Sequence, residues 1–356
     1  AELEASAPAH ALAGFGGPVL PEWTVATALV RDGTLYYDAA PTPFGPYPYP
    51  LEMRFGVRSV TKGVCAPLAL LRLAQLYGPG VLDEKIGDHV PGLPAKYRSV
   101  RFINAADMAS GYGGMGSTRT APNDMYDGYL GGDYDAWYTA PSLAEKIARI
   151  DAQDRPYPWK PGMVVRYRDQ DFLLLGAALD GYLKKKRGPQ ADVWDMVAGE
   201  VLAPIGVAQA PLVRTREPGG ARGIAWFSAG YYPTLDDLAK IALLYQHHGE
   251  HDGRQLLHRG LTDALLAAKG SLAKTTDPAA GRYLMGLHYL PYTGSASGTQ
   301  FLLPVLEGSG ENEVVLYPDG TVSIRAAKAA QLPEGMAAMR GDPLATIRAV
   351  ERLKPF

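Results

Sequence analysis

A hydroxyl and an amine lie three residues apart in Arg58-Ser59-Val60-Thr61-Lys62-Gly63. The stretch follows an apparent strand and opens an apparent helix, where positions i and i+3 share one face. Ser59 Oγ and Lys62 Nζ can therefore meet without help from a distant loop. A serine hydroxyl is a weak nucleophile until a neighbouring base takes its proton. A lysine is that base only where its ammonium form is disfavoured, which burial and the positive potential of a helix N-terminus both do. The same N-terminus offers a free backbone N–H to an oxyanion. Ser-x-x-Lys is a cheap pattern, however. A second copy, Ser271-Leu272-Ala273-Lys274, reads as an ordinary solvated segment.

The elements that must position this pair follow from period and punctuation. Residues 1–23 are rich in Ala, Gly and Pro and read as an extended arm. Trp23 to Val30 reads as a strand, Arg31-Asp32-Gly33 as a hairpin turn and Thr34 to Tyr37 as the returning strand. Ser59 to Tyr77 is apolar on every face, the mark of a core helix, although Pro67 inside it removes a hydrogen bond. Val81 to Leu93 reads as a short amphipathic piece. Helices are expected over Phe102–Met108, Ser142–Ile150, Asp171–Lys186, Val193–Leu202, Leu235–His247 and Pro343–Leu353. Residues 208–226 read as irregular. Strands are expected over Leu284–Leu290, Gln300–Leu306, Glu313–Tyr317 and Thr321–Ala326. Strands at both ends most simply complete one antiparallel sheet. The expectation is an α/β (α+β) fold in which 24–77 and 225–356 carry the sheet. Residues 78–224 form a mostly helical insertion, with the active site between the two parts.

Composition narrows the chemistry. The 356 residues are 47% hydrophobic and 20% charged with a formal net charge of -2, so neither nucleic acid nor an anionic membrane is an expected partner. No apolar run is long enough to span a membrane. The single cysteine, Cys65, reads as a buried hydrophobe. The cluster His247-His248-Gly249-Glu250-His251 reads as exposed polar residues, and no metal or organic cofactor is implied. Gly111-Tyr112-Gly113-Gly114-Met115-Gly116 matches G-x-G-x-x-G literally, but it follows a helix rather than a strand, so a dinucleotide site is rejected. Residues 122–141 combine acidic residues with Tyr126, Tyr129, Tyr134, Trp137 and Tyr138, a candidate lid or substrate wall. The first residues, Ala1-Glu2-Leu3, carry neither Met nor a signal peptide, which reads as a mature periplasmic or secreted chain or a trimmed one.

Four segments in order then resemble the serine β-lactamase and penicillin-binding-protein superfamily, and most of all its branch of class C β-lactamases, family VIII esterases and 6-aminohexanoate-dimer hydrolases. Ser59-Val60-Thr61-Lys62 matches S-x-x-K. Pro161-Gly162, Tyr167-Arg168-Asp169 and Phe172 to Gly176 match a "PG…Y-x-N…LLG" segment. Ser228 to Thr234 with Asp237-Leu238-Ala239 matches a third segment, and Gly308-Ser309-Gly310 lies on the strand of the last one. The resemblance implies that Ser59 attacks a carbonyl carbon, Lys62 acts as its base and Tyr167 passes a proton to the leaving group. The backbone N–H groups of Ser59 and Ser309 would form the oxyanion hole. It also places Tyr112, Asp169, Glu307, Gly308 and Gly310 around the substrate.

Two residues depart from the pattern. Asp169 stands where the family usually has Asn. A carboxylate beside Lys62 favours its ammonium, so whether Asp169 faces the site or points away stays open. Leu306-Glu307-Gly308 stands where a Lys-Thr-Gly or His-Thr-Gly motif is usual, and Glu307 would repel an anionic substrate. The reading is an acyl-enzyme serine hydrolase acting on small neutral or cationic esters. An amidase, β-lactamase-like or peptidase activity, an acyltransferase, and a non-catalytic binding protein on the same scaffold are the alternatives.

Overall fold

The computed structural model describes residues 2–17, 19–39, 44–45, 47–113, 134–269, 282–328, 342 and 344–356. In chain order its strands and helices begin with β1 (Thr24–Arg31), β2 (Thr34–Ala39), α1 (Val60–Tyr77), α2 (Phe102–Ala106), β3 (Tyr112–Gly113) and α3 (Tyr134–Thr139). There follow α4 (Leu143–Gln153), β4 (Arg155–Pro156), α5 (Asp169–Arg187), α6 (Val193–Val197), α7 (Leu235–Gln246), β5 (Glu250–His251), β6 (Arg254–Gln255) and α8 (Arg259–Leu266). The chain closes with β7 (Arg282–Leu284), β8 (Leu287–Thr293), β9 (Gln300–Gly308), β10 (Asn312–Leu316), β11 (Val322–Ala327) and α9 (Ala345–Leu353).

Seven strands form one antiparallel sheet in the order β2-β1-β11-β10-β9-β8-β7. The first and last strands of the chain therefore pair inside the sheet, next to its β2 edge, β1 with β11 from Val30↔Val322 to Thr24↔Ala327. Strand alternation sends side chains to two faces. Ala26, Ala28 and Val30 of β1 and Leu306 of β9 join the large core built on α1, α5 and α7. Leu29, Leu303, Val305 and Val315 join a smaller core closed by Ile347 and Val350 of α9.

The central helix α1 is buried along almost its whole length. Pro67 lies inside it without ending it. A proline there cannot donate to the carbonyl four residues earlier, which is that of Gly63. Tyr245 on α7 supplies the replacement: its hydroxyl donates to the Gly63 carbonyl at 2.9 Å.

Several local expectations are corrected. The piece expected over 81–93 is a chain of short 3-10 turns, Pro79–Asp83, which Pro79 opens, and Ile86–Asp88. The strand expected over 284–290 is two, β7 and β8, broken where Met285 and Gly286 both take positive φ. The arm is not extended: it contains a 3-10 turn at Leu3–Ser6, and Glu2 bridges to Tyr37 of β2. Residues 193–202 divide into α6 and a π turn, and α8 forms where no helix is expected from the sequence. The Ser271–Lys274 copy, most of the 122–141 loop and part of the glycine motif at 111–116 lie outside the described residues.

Tyr245→Phe deletes the hydroxyl that donates to the Gly63 carbonyl, whose usual helical donor is missing at Pro67. It should lower the unfolding free energy by about 1–3 kcal/mol, read as a shifted urea midpoint at unchanged slope.

Candidate active site

Ser59 occupies the N-cap of α1, with φ -73° and ψ -7°. The residue before it, Arg58, sits in the left-handed region at φ 52°, a conformation that costs a side-chain-bearing residue energy. This bend delivers Ser59 from the preceding segment onto the helix end. One turn on, Lys62 is 1% exposed, and its Nζ donates to Ser59 Oγ at 2.7 Å. The same Nζ donates to the carbonyl of Ser228 at 2.8 Å and lies 2.6 Å from Asp169 Oδ1. Three acceptors therefore surround one buried amine, each from a different segment of the chain. Thr61, between the two, accepts from the Tyr231 backbone N–H at 3.2 Å and holds the Ser228 segment against α1.

Tyr167 completes the group. It is 5% exposed, its ring lies 4.9 Å from Lys62 Nζ, and its hydroxyl hydrogen-bonds with Ser59. Burial pushes the Tyr167 phenol well above its usual value, and the carboxylates of Asp169 and Glu307 push it further. The Ser59 hydrogen bond opposes them without prevailing, so Tyr167 holds its proton at neutral pH. Its backbone is fixed by the next residue. Arg168 is buried and forks onto Asp154, Nη1 to Oδ1 at 3.0 Å and Nη2 to Oδ2 at 2.5 Å, while its Nε reaches Asp171 at 3.1 Å. Tyr97 and Ser110 add second hydrogen bonds to two of the oxygens Arg168 already holds, Tyr97 Oη donating to Asp154 Oδ2 at 2.7 Å and Ser110 Oγ to Asp171 Oδ1 at 2.9 Å.

Asp169, the first residue of α5, faces the site rather than away from it. Its side chain is 4% exposed, and its second oxygen accepts from Tyr134 Oη. The orientation follows from position. An acidic side chain in a helix's first turn is favoured there by the helix dipole, and the end of α5 abuts the end of α1.

The sheet closes the site from the other side. A Cβ on Gly308 would lie 2.4 Å from the Val57 carbonyl oxygen and 3.0 Å from the Ser59 nitrogen, so only glycine lets β9 approach Ser59 this closely. Gly286, at φ +92°, allows the same approach to the Lys62 carbonyl. Ser309 follows Gly308, and its carbonyl is held by Asn312 Nδ2 at 2.9 Å. Gly310 turns the chain at φ 91°. Glu307 is half exposed, with Oε2 3.8 Å from His288 Nδ1. The described contacts of Tyr112 lie elsewhere: its ring packs on Tyr97 and its hydroxyl donates to the Lys96 carbonyl, so the structure does not bring it to Ser59.

His288, on β8, was not read from the sequence. Its ring stacks on Tyr167 with centroids 6.1 Å apart and meets Tyr283 edge-on at 4.8 Å. Burial and then the nearby Lys62 charge lower its pKa to about 4, so the imidazole is neutral at pH 7. Only strand pairing across the β7–β8 turn puts it there, and no local pattern announces that. Beside Arg58, the residue before Ser59, a pocket of about 200 Å³ is lined by Gly56, Arg58, Tyr138, Trp226, Ala229 and Tyr232, among others. Tyr138 belongs to the described end of the aromatic 122–141 segment. Among the described residues no group of His, Cys, Asp and Glu could hold a metal ion.

The beta-lactamase family model matches residues 23–314, and the chain belongs to that family of hydrolases. Three solved structures are similar in fold. A Bacillus anthracis protein assigned as a 6-aminohexanoate-dimer hydrolase is 17% identical, with 93% of this chain and 80% of that one covered and a TM-score of 0.64. EstCE1, described as a hydrolase with promiscuous acyltransferase activity, is 14% identical over 93% of both chains, with a TM-score of 0.63. An octameric penicillin-binding protein homologue from Pyrococcus abyssi is 19% identical, covering 89% and 72%, with a TM-score of 0.61. A search among curated proteins found no match.

The His288 shift carries a sign that can be tested. Between about pH 6.5 and pH 4 the unfolded chain takes up a proton at this position that the folded one refuses, so stability falls as pH falls through that window. The loss approaches about 3 kcal/mol at its limit. His288→Gln should flatten this part of the pH dependence in urea titrations at pH 7 and pH 4.5.

Proposed function

We propose that this chain is an acyl-enzyme serine hydrolase with Ser59 as nucleophile, acting on small neutral or cationic carboxylic esters. The observation that carries the reading is the buried contact of Ser59 with both Lys62 and Tyr167. Ser59 Oγ attacks the carbonyl carbon and its proton passes to Lys62. The carbonyl oxygen gains the charge and is held by the backbone N–H groups of Ser59 and Ser309. Tyr167, a phenol that keeps its proton, gives that proton to the departing oxygen as the tetrahedral centre collapses, and Lys62 is placed to stabilise the phenolate left behind. Water then cleaves the Ser59 ester by the reverse sequence. Small residues at Gly308 and Gly310 admit the substrate's backbone-side approach.

Glu307 sets the charge preference. Leu306 packs on α1 and offers no cation, while the half-exposed Glu307 carboxylate disfavours an anionic substrate group. Amides are the second reading, favoured by Tyr167, since an amine leaves readily only when protonated.

The wild-type protein should release p-nitrophenolate from p-nitrophenyl butyrate with an initial burst matching the enzyme concentration. Ser59→Ala should lose the burst and about 10³-fold or more of the turnover. Full activity in Ser59→Ala would sink the assignment. Across a matched ester series, Glu307→Gln should lower kcat/KM for a cationic ester by about 3–10-fold and leave a neutral one within about twofold. An equal effect on both would remove Glu307 from substrate selection.

A further inference from the structure

The resting geometry leaves Lys62 poorly suited to be a base. It stands in a buried ion pair with Asp169 at 2.6 Å while donating to Ser59 Oγ and the Ser228 carbonyl. An ammonium that donates to two oxygens and is ion-paired to a third group has no lone pair for the Ser59 proton. Tyr167 is a protonated phenol and is no substitute. Among the described partners of Lys62, one can accept a proton. The Ser228 carbonyl cannot, Ser59 is the source, and the carboxylate of Asp169 remains.

We propose that Asp169 is the terminal proton acceptor of acylation, taking a proton from Lys62 as Lys62 takes one from Ser59. The inference rests on the acyl-enzyme reading above. Two protons move together: Ser59 Oγ–H to Lys62 Nζ, and Lys62 Nζ–H to Asp169 Oδ1. The Ser59 Oγ–C bond forms and the carbonyl π pair becomes the oxyanion. Lys62 is an ammonium before and after. The negative charge leaves the carboxylate and reappears on the substrate oxygen, so the site holds one buried cation and one buried anion throughout. A route that ended in a free amine beside the carboxylate would instead strand an unpaired buried charge. Tyr134, donating to Asp169 Oδ2, leaves Oδ1 directed at Lys62. When the leaving group departs with the Tyr167 proton, Asp169 returns its stored proton to Lys62 as Lys62 gives one to the Tyr167 phenolate, which restores the phenol and the resting ion pair.

Asp169 acts through Lys62, so the test needs a readout that a packing role would not move. Stopped-flow acylation by p-nitrophenyl butyrate in mixtures of H2O and D2O provides one. The wild type should give a curved, two-proton inventory. Asp169→Asn, which keeps shape and hydrogen bonding but cannot accept a proton, should acylate about 10²-fold more slowly with a linear inventory. Asp169→Glu keeps the carboxylate and should acylate faster than Asp169→Asn while retaining the curve. It also carries the test if the Asn variant fails to fold by thermal melting. Acylation by Asp169→Asn at or above the wild-type rate would overturn the proposal, because the carboxylate would then only be restraining Lys62. A linear inventory in the wild type or in Asp169→Glu would overturn it too. A wild type with no Ser59-dependent burst would be a different failure, that of the acyl-enzyme reading itself.

Discussion

The buried amine of Lys62 is the constraint on which the rest of this structure depends. A single ammonium is tolerated at 1% exposure only because acceptors converge on it. They come from α1 itself, from the start of α5 and from the Ser228 segment before α7. Moving any of these by an ångström would leave a buried charge underpaired, at a cost comparable to much of a domain's net stability. The same geometry that satisfies the charge also brings hydroxyl, amine, phenol and carboxylate together. Stability and chemistry draw on one set of contacts.

The surrounding fold can be understood as what that cluster requires. Helix α1 must run through the middle of the protein, so it is apolar on every side, and its proline defect is repaired by Tyr245 from α7. The sheet must press against the end of α1, so glycine stands at 308 and 286, where a Cβ would collide with backbone. Tyr167 must not drift, so the residue after it is locked by two buried carboxylates. Each of these is a packing solution, and together they keep the hydroxyl, amine, phenol and carboxylate of this cluster close together.

Charge around the site is arranged unequally. Inside, the Lys62 cation faces one carboxylate and a neutral imidazole. At the mouth, Glu307 adds a second negative charge within reach of His288 and Tyr167.

The sequence alone determined a good deal. The i, i+3 spacing of Ser59 and Lys62 on a core helix is a local property, as are the strands at the chain's two ends, and these made the antiparallel sheet with α1 against it legible. Tyr167, Gly308 and the missing cation at 306–307 were legible from the order of four segments. What the tertiary structure decided are contacts between residues far apart in sequence. The direction of Asp169 depends on how the ends of α5 and α1 abut, and either direction was compatible with its neighbours in the chain. His288 reaches Tyr167 through strand pairing, the Ser228 carbonyl reaches Lys62 across 166 residues, and Tyr245 reaches Gly63 across 182. Periodicity and turn chemistry report on a residue's immediate neighbours. The pairing that makes a buried charge affordable is a three-dimensional fact, and only the folded chain contains it.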